Sequence, residues 1–206
     1  QANLSGASAR KAVFTGAQAP KAVFAGAHLE DALFEKALLA GADLSRTSLG
    51  GAKFPGAILT KAALSGARGE AAEFKEADLT GAYGDAGANF KKALFVKAIG
   101  PQSVWEGSVF DDADFTGALL ERANFAGASL QRAKFGGVIA KNASFRKASM
   151  RLAQAVQSDF FEATFEKADL SGADFTGSNL FGSEFLGSIL EDTNLRGANV
   201  KMSKLG

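Results

Sequence analysis

Residues 113–137 read ADFTG-ALLER-ANFAG-ASLQR-AKFGG. Alanine returns at positions 113, 118, 123, 128 and 133, and two residues after each stands a large apolar side chain: Phe115, Leu120, Phe125, Leu130 and Phe135. We denote the large position i and the small one i−2. A period of five fits neither the 3.6-residue turn of a helix nor the two-residue alternation of a strand, so it demands another geometry.

Worked outward, the rhythm covers the chain. It runs from Leu4 to Gly84 in steps of five, slips by one residue, and resumes from Phe90 to Leu205. Before the slip i−2 is Ala everywhere except Thr47; after it, i−2 is Ala, Ser or Thr everywhere except Val138. Of the 18 Phe residues, only Phe161 and Phe181 fall outside position i. Chance would scatter them over all five phases, so the repeat sets the fold. If i−2 and i point inward, the other three positions face water and the chain must turn a corner in every repeat. Glycine favours i+2, as at Gly6, Gly16, Gly117, Gly127 and Gly177, where a tight turn can use angles that a Cβ disfavours.

ADLSR at Ala42–Arg46, ADLSG at Ala168–Gly172 and ADFTG at Ala173–Gly177 resemble the pentapeptide-repeat motif A(D/N)LXX, and the resemblance covers nearly the whole chain. It implies an all-β fold: a right-handed quadrilateral β-helix with four pentapeptides per coil. At that repeat 206 residues give about ten coils, a rod on the order of 50 Å long at the inter-strand spacing of about 4.8 Å.

Residues one coil apart should then share a wall. Phe14, Phe34, Phe54 and Phe74 do, and across the slip the column continues as Phe95, Phe115, Phe135, then Ala155 and Phe175. Trp105, Phe125, Phe145, Phe165 and Phe185 form a second column two walls away. Both are expected to be stacked core aromatics. Because the columns run through the slip, residues 1–206 read as a single domain with a one-residue bulge near 84–88, where Gly81–Ala88 holds three glycines. The undersized centres Ala9, Ala19 and Gly69 predict looser packing, and residues 151–161 predict a second distorted coil.

The formal net charge is +1, which supplies no overall field to draw in nucleic acid or an anionic membrane; direct nucleic-acid or membrane binding is not expected. No apolar run reaches the length of a transmembrane helix, no signal peptide is visible, and there is no Cys. A cytoplasmic location is the first expectation, with a secreted or lumenal one beside it. The chain opens and stops within a repeat, and open solenoid ends expose unpaired backbone. This suggests either a segment excised from a longer protein or an end-to-end homodimer.

Chemistry finds little footing. The one His, His28, is in the outward i−1 phase, and no Walker loop, zinc spacing or nucleophile elbow occurs, so no enzymatic activity, cofactor or metal is expected. Charges alternate in sign from coil to coil: Arg10-Lys11 beside Glu30-Asp31, and Lys91-Lys92 beside Asp111-Asp112, then Arg132. The sharper feature is an apolar stripe on the fourth wall. Leu38, Ile58, Ile99, Leu119 and Ile139 occupy outward i−1 positions, with Phe161 and Phe181 at i+1; a contiguous patch bearing two exposed rings is a candidate surface for a protein partner.

The expected function is a non-enzymatic interaction scaffold. The KAxF and GAxL blocks resemble the repeat tails of bacterial secretion-system accessory proteins, which implies an adaptor role. The alternative comes from the quinolone-resistance members of the family, whose resemblance implies DNA mimicry and binding to DNA gyrase or another topoisomerase. Such a mimic needs rows of carboxylates, and here each row changes sign.

Overall fold

The computed structural model describes residues 2–85 and 87–204. Backbone pairing consists of parallel bridges spaced five residues apart along the chain, each joining a residue to one twenty further on: Asn3 to Val23, Ser8 to His28, Val13 to Leu33, Gln18 to Leu38. Four bridge positions per twenty residues make four walls. We number them by their first bridged residues, Asn3, Ser8, Val13 and Gln18. Between Arg68–Asn89 and Tyr83–Val104 the step is 21, and it returns to 20 from Asn89–Val109. The bulge expected near 84–88 includes Ala86, which lies outside the described residues. The molecule is a repeat β-solenoid.

One pentapeptide shows how the sequence builds the coil. Leu119 N–H donates to Ala98 C=O of the preceding coil (2.9 Å), Leu120 N–H to Ile139 C=O of the next (2.7 Å), Arg122 N–H to Lys141 C=O (2.8 Å), and Ala123 N–H closes the corner on Leu120 C=O (3.0 Å). That leaves the i+1 amide. Where i−1 is Asp or Asn its carboxylate or amide oxygen accepts that proton: Thr116 N–H donates to Asp114 Oδ1 (2.9 Å), Ser45 N–H to Asp43 Oδ1 (2.9 Å) and Ala126 N–H to Asn124 Oδ1 (2.9 Å). The second letter of A(D/N)LXX is therefore a local cap that satisfies the remaining turn donor.

Every described residue at i+2 has a positive φ, glycine or not: Gly117 at 68°, but also Lys97 at 56°, Arg122 at 57° and Asp112 at 60°. The corner imposes the left-handed conformation at every turn. Glycine relieves its cost without being required for it.

The interior is dry and aromatic. In the third-wall column Phe34 stacks on Phe54 (centroids 4.7 Å, planes 4° apart), Phe54 on Phe74 (4.9 Å, 2°), Phe74 on Phe95 across the 21-residue step (4.9 Å, 4°), and Phe115 on Phe135 (5.1 Å, 5°). In the first-wall column Phe125, Phe145, Phe165 and Phe185 stack at 5.1–5.4 Å. The columns touch edge to face, as Phe115 does Phe125 at 5.8 Å and 82°, the geometry favoured by the ring quadrupole. Phe14 stacks on Phe34 at 4.7 Å but is only partly buried in the first described coil. At Ala155 the third-wall column is broken; Phe160 lies 5.6 Å from Phe175 and 6.5 Å from Phe135, bridging the gap from the neighbouring wall.

Two expectations are corrected. Packing is not loose at Gly69: a Cβ there would come within 2.6 Å of the Phe90 ring, and one at Gly84 within 2.4 Å of Trp105. A ring one coil on fills each gap, which is why glycine stands at those core positions. Nor are residues 151–161 a distorted coil, since Lys134–Gln154 and Ile139–Asp159 bridge in the ordinary register. Leu152 simply occupies an i+2 corner at φ 56° and is 56% exposed.

Buried hydroxyls at i−2 find carbonyls. Ser103 Oγ donates to Gly100 C=O (2.7 Å) and accepts from Trp105 Nε1–H (2.8 Å); Ser158 Oγ donates to Phe135 C=O (2.6 Å) and Ser183 Oγ to Phe160 C=O (2.9 Å). Among the described residues no buried side-chain polar atom lacks a partner.

Candidate functional site

With core and corners accounted for, the side chains left to meet other molecules are those at i−1, i+1 and i+2. On the fourth wall the i−1 row runs Gln18, Leu38, Ile58, Asp78, Ile99, Leu119, Ile139, Asp159, Asn179, Asn199 through successive bridges. Ile58, Ile99 and Leu119 are 38%, 39% and 36% exposed, while Leu38 and Ile139 are half-buried. The row is not the contiguous patch the sequence suggests: Asp78 separates Leu38 and Ile58 from the three-residue run Ile99, Leu119, Ile139.

Phe161 and Phe181 stack on each other at 5.6 Å with planes 2° apart. They are half-buried rather than exposed, because each ring covers a face of the other. Asp159 and the Asn179–Asn199 amide ladder (Nδ2 to Oδ1, 2.9 and 3.1 Å) stand beside them, so they lie apart from the aliphatic run. The structure thus brings Ile99, Leu119 and Ile139 together, adds Leu38 and Ile58 beyond a carboxylate, and leaves the two rings as a separate feature.

The wall's backbone is closed. Ile99 and Ile139 N–H groups donate to Ala77 and Ala118 C=O (2.9 and 3.0 Å), and the C=O groups of Leu119 and Ile139 accept from Gly100 and Leu120 N–H (2.7 Å each). A partner meets side chains there, not free ladder groups.

Cations edge the row on both sides. Lys36 and Lys97 lie at the corner from the third wall, and Lys61, Arg122 and Lys141 at the corner to the first. Lys36 pairs with Glu35 (3.7 Å) and Lys141 with Asp159 (3.3 Å); Lys61, Lys97 and Arg122 make no ion pair among the described residues. Sequence reading by apolar phase alone missed both Asp78 and these edges, although reading out every twentieth residue displays them.

Most of the ion pairs among the described residues join neighbouring coils. At the corner between second and third walls, Arg132 holds Asp112 with two bonds (2.6 and 3.0 Å) and Arg10 meets Glu30 at 3.1 Å, while Arg151 reaches back to Asp169 on the second wall at 3.0 Å. The Arg132 hydrogen bond keeps the Asp112 carboxyl below its ordinary value, and Asp112 in turn raises the Arg132 guanidinium. For Glu30 burial pushes upward, but a backbone hydrogen bond and Arg10 outweigh it and the carboxyl is lowered. His28 has Nδ1 3.6 Å from the Glu30 carboxylate. No group of three or more His, Cys, Asp or Glu able to hold a metal occurs among the described residues. No helix there is long and apolar enough to cross a membrane.

Fold and surface together define a β-solenoid of five-residue repeats whose outer walls are side-chain panels on a rigid core. The family described as pentapeptide repeats matches in eight copies, over residues 1–35, 21–54, 48–83, 88–127, 108–146, 123–160 and 158–197. The chain belongs to the pentapeptide-repeat family. No curated protein sequence matches it significantly. Among solved structures it is similar to HetL, a pentapeptide repeat protein involved in heterocyst differentiation regulation from the cyanobacterium Nostoc sp. strain PCC 7120, at 29% identity over 98% of this chain and 85% of that one (TM-score 0.48). It is similar also to QnrB1, a plasmid-mediated fluoroquinolone resistance protein, at 20% identity over 97% and 92% (TM-score 0.42). A third is a pentapeptide repeat protein from the Arabidopsis thaliana thylakoid lumen, at 28% identity over 48% and 66% (TM-score 0.40). These superpositions are loose, and membership rests on the matched repeats.

Proposed function

We propose that the chain is a non-enzymatic protein-interaction scaffold, a single right-handed, four-sided β-helix of about ten coils with one bulge near 84–88, that docks a protein partner on its fourth wall. The observation that carries this is the run Ile99, Leu119, Ile139: three aliphatic side chains on consecutive coils, outside a core already filled with rings. Leu38 and Ile58 extend the surface beyond Asp78, and Phe161 and Phe181 offer a second, separate contact on the same wall. An adaptor role within a bacterial secretion system, in the cytoplasm, is the setting that fits such a panel and the KAxF blocks.

Imitation of DNA toward a topoisomerase is the weaker reading. It calls for unopposed carboxylates along a face, whereas Asp112, Glu30 and Asp169 each carry an arginine.

A photoreactive residue placed at Leu119 is expected to crosslink a discrete protein in a bacterial lysate, and one at Ser149 on the second wall is not. Equal labelling from both walls would remove the reading. DNA gyrase supercoiling is expected to proceed unchanged with the protein present.

A further inference from the structure

We propose that two copies of the chain associate side by side and antiparallel along the corner between the second and third walls, each corner meeting the opposite charges of the other. This stands apart from the fourth-wall reading and uses a different surface. The corner is built from positions i+1 and i+2 of the second wall, and its stacking is continuous. Lys11 N–H donates to Glu30 C=O (2.9 Å), Lys92 N–H to Asp111 C=O (2.9 Å), Arg132 N–H to Arg151 C=O (2.9 Å) and Gly172 N–H to Glu191 C=O (2.8 Å). Numbered from the coil of Asn3, coils 1 to 10 present there the pairs RK, ED, GG, EA, KK, DD, QR, RL, SG and ED.

The first argument is self-complementarity. A two-fold axis between coils 5 and 6, running across the rods, sets coil 1 against coil 10, coil 2 against coil 9, and so on to coil 5 against coil 6. Arg10-Lys11 then faces Glu191-Asp192, Lys91-Lys92 faces Asp111-Asp112, and Glu70 faces the coil of Arg132. Each of these contacts occurs twice, as a two-fold interface requires. Nowhere along the corner does like charge meet like. Leu152, 56% exposed, comes opposite Gly50-Gly51, the one coil of the corner with no side chain to collide with it.

The second argument is that neighbouring arrangements fail. Parallel packing lays every charged coil on its own copy. Shifting the antiparallel register by one coil puts Asp111-Asp112 on itself and Glu30-Asp31 against Glu191-Asp192, and the opposite shift puts Lys91-Lys92 on itself. Like-charge contacts of this kind disfavour the wrong pairing. A stagger of four coils keeps the signs opposed but leaves only coils 1 to 6 in contact. The third argument is availability. Arg10, Asp112 and Arg151 are held within the chain, but Lys11, Glu70, Lys91, Lys92, Glu191 and Asp192 make no ion pair among the described residues. Exposed pairs are individually weak, so the association draws on their number and on low salt.

The test is analytical sedimentation of the whole chain at high concentration. A dimer is expected in about 0.01 M salt and a monomer in about 1 M. Lys11→Glu and Asp192→Lys, neither of which breaks an ion pair within the chain, should each weaken the dimer at least tenfold. An equimolar mixture of the two variants should recover it, because each altered coil then meets its opposite. Lys92→Glu and Asp112→Lys should behave likewise at the centre, with circular dichroism checking the fold. Should Asp112→Lys unfold through the loss of Arg132, the Lys11 and Asp192 variants carry the test alone. A chain that stays monomeric in low salt overturns the proposal, as does a mixture that fails to recover the dimer. So does a dimer indifferent to salt, a dimer that Leu119→Asp dissolves, or one weakened by Lys11→Glu but not by Asp192→Lys, which is the staggered pairing.

Discussion

Phe115 and Leu119 are both large and apolar and stand four residues apart, yet one is 2% exposed and the other 36%. They differ in phase. Phe115 is at i, where the chain turns the side chain into the ring column between Phe95 and Phe135; Leu119 is at i−1, where the same pleat turns it outward. The contrast teaches that burial is assigned by position within the pentapeptide, not by hydrophobicity. An apolar residue at an outward phase is therefore informative, because no core requirement put it there.

The comparison can be broken at several points. The largest effect belongs to Phe115→Ala, which removes one ring from a stacked column and should cost about 3–5 kcal/mol in chemical denaturation; a cost under 1 kcal/mol would place the ring outside. Gly84→Val should be destabilising by about 1–3 kcal/mol because the new side chain meets Trp105. The smaller partner Trp105→Leu should recover part of the loss, and the absence of that rescue would count against ring-for-glycine filling. Gly117→Ala, at a corner of φ 68° with only ordinary contact to the Lys97 side chain, should cost about 1 kcal/mol. The smallest stability effect is expected of Leu119→Ser, within about 0.5 kcal/mol in the same measurement.

Acidity separates the outer charges from the core. Asp112 has a folded pKa lowered chiefly by the Arg132 hydrogen bond, so its contribution is fully present above its unfolded value, near pH 4. It is lost as the pH falls through the folded pKa. Asp112→Asn should lower the melting temperature slightly at neutral pH and flatten its decline below about pH 4, so that variant and wild type converge in acid. An unchanged acid limb would mean the pair contributes nothing.

Much of the fold was legible because its cause is periodic. The pairing of small i−2 with large i, the solenoid and the step at the slip all follow from counting residues. What was not legible depends on atoms of different coils sharing one space. Gly69 reads as a gap until Phe90 is stacked beside it, and Ala155 as a missing ring until Phe160 is seen spanning its place. The corner conformation was half-legible: glycine at i+2 announces positive φ, but lysine, arginine and aspartate at the same phase conceal it, and only the backbone shows that every corner is alike. On the surface, apolar phase singled out the fourth-wall residues. The interruption at Asp78 and the mutual cover of Phe161 and Phe181 are neighbour relations that a single phase does not carry.

Rings one coil apart stack inside four closed walls and stay stacked across the slip. Nuclear Overhauser contacts between selectively labelled phenylalanine rings test it most directly. Cross-peaks are expected for Phe54 with Phe74 and for Phe74 with Phe95, whose centroids are 4.9 Å apart in both cases. Finding the first pair without the second would contradict a continuous column, and finding neither would contradict the solenoid interior itself.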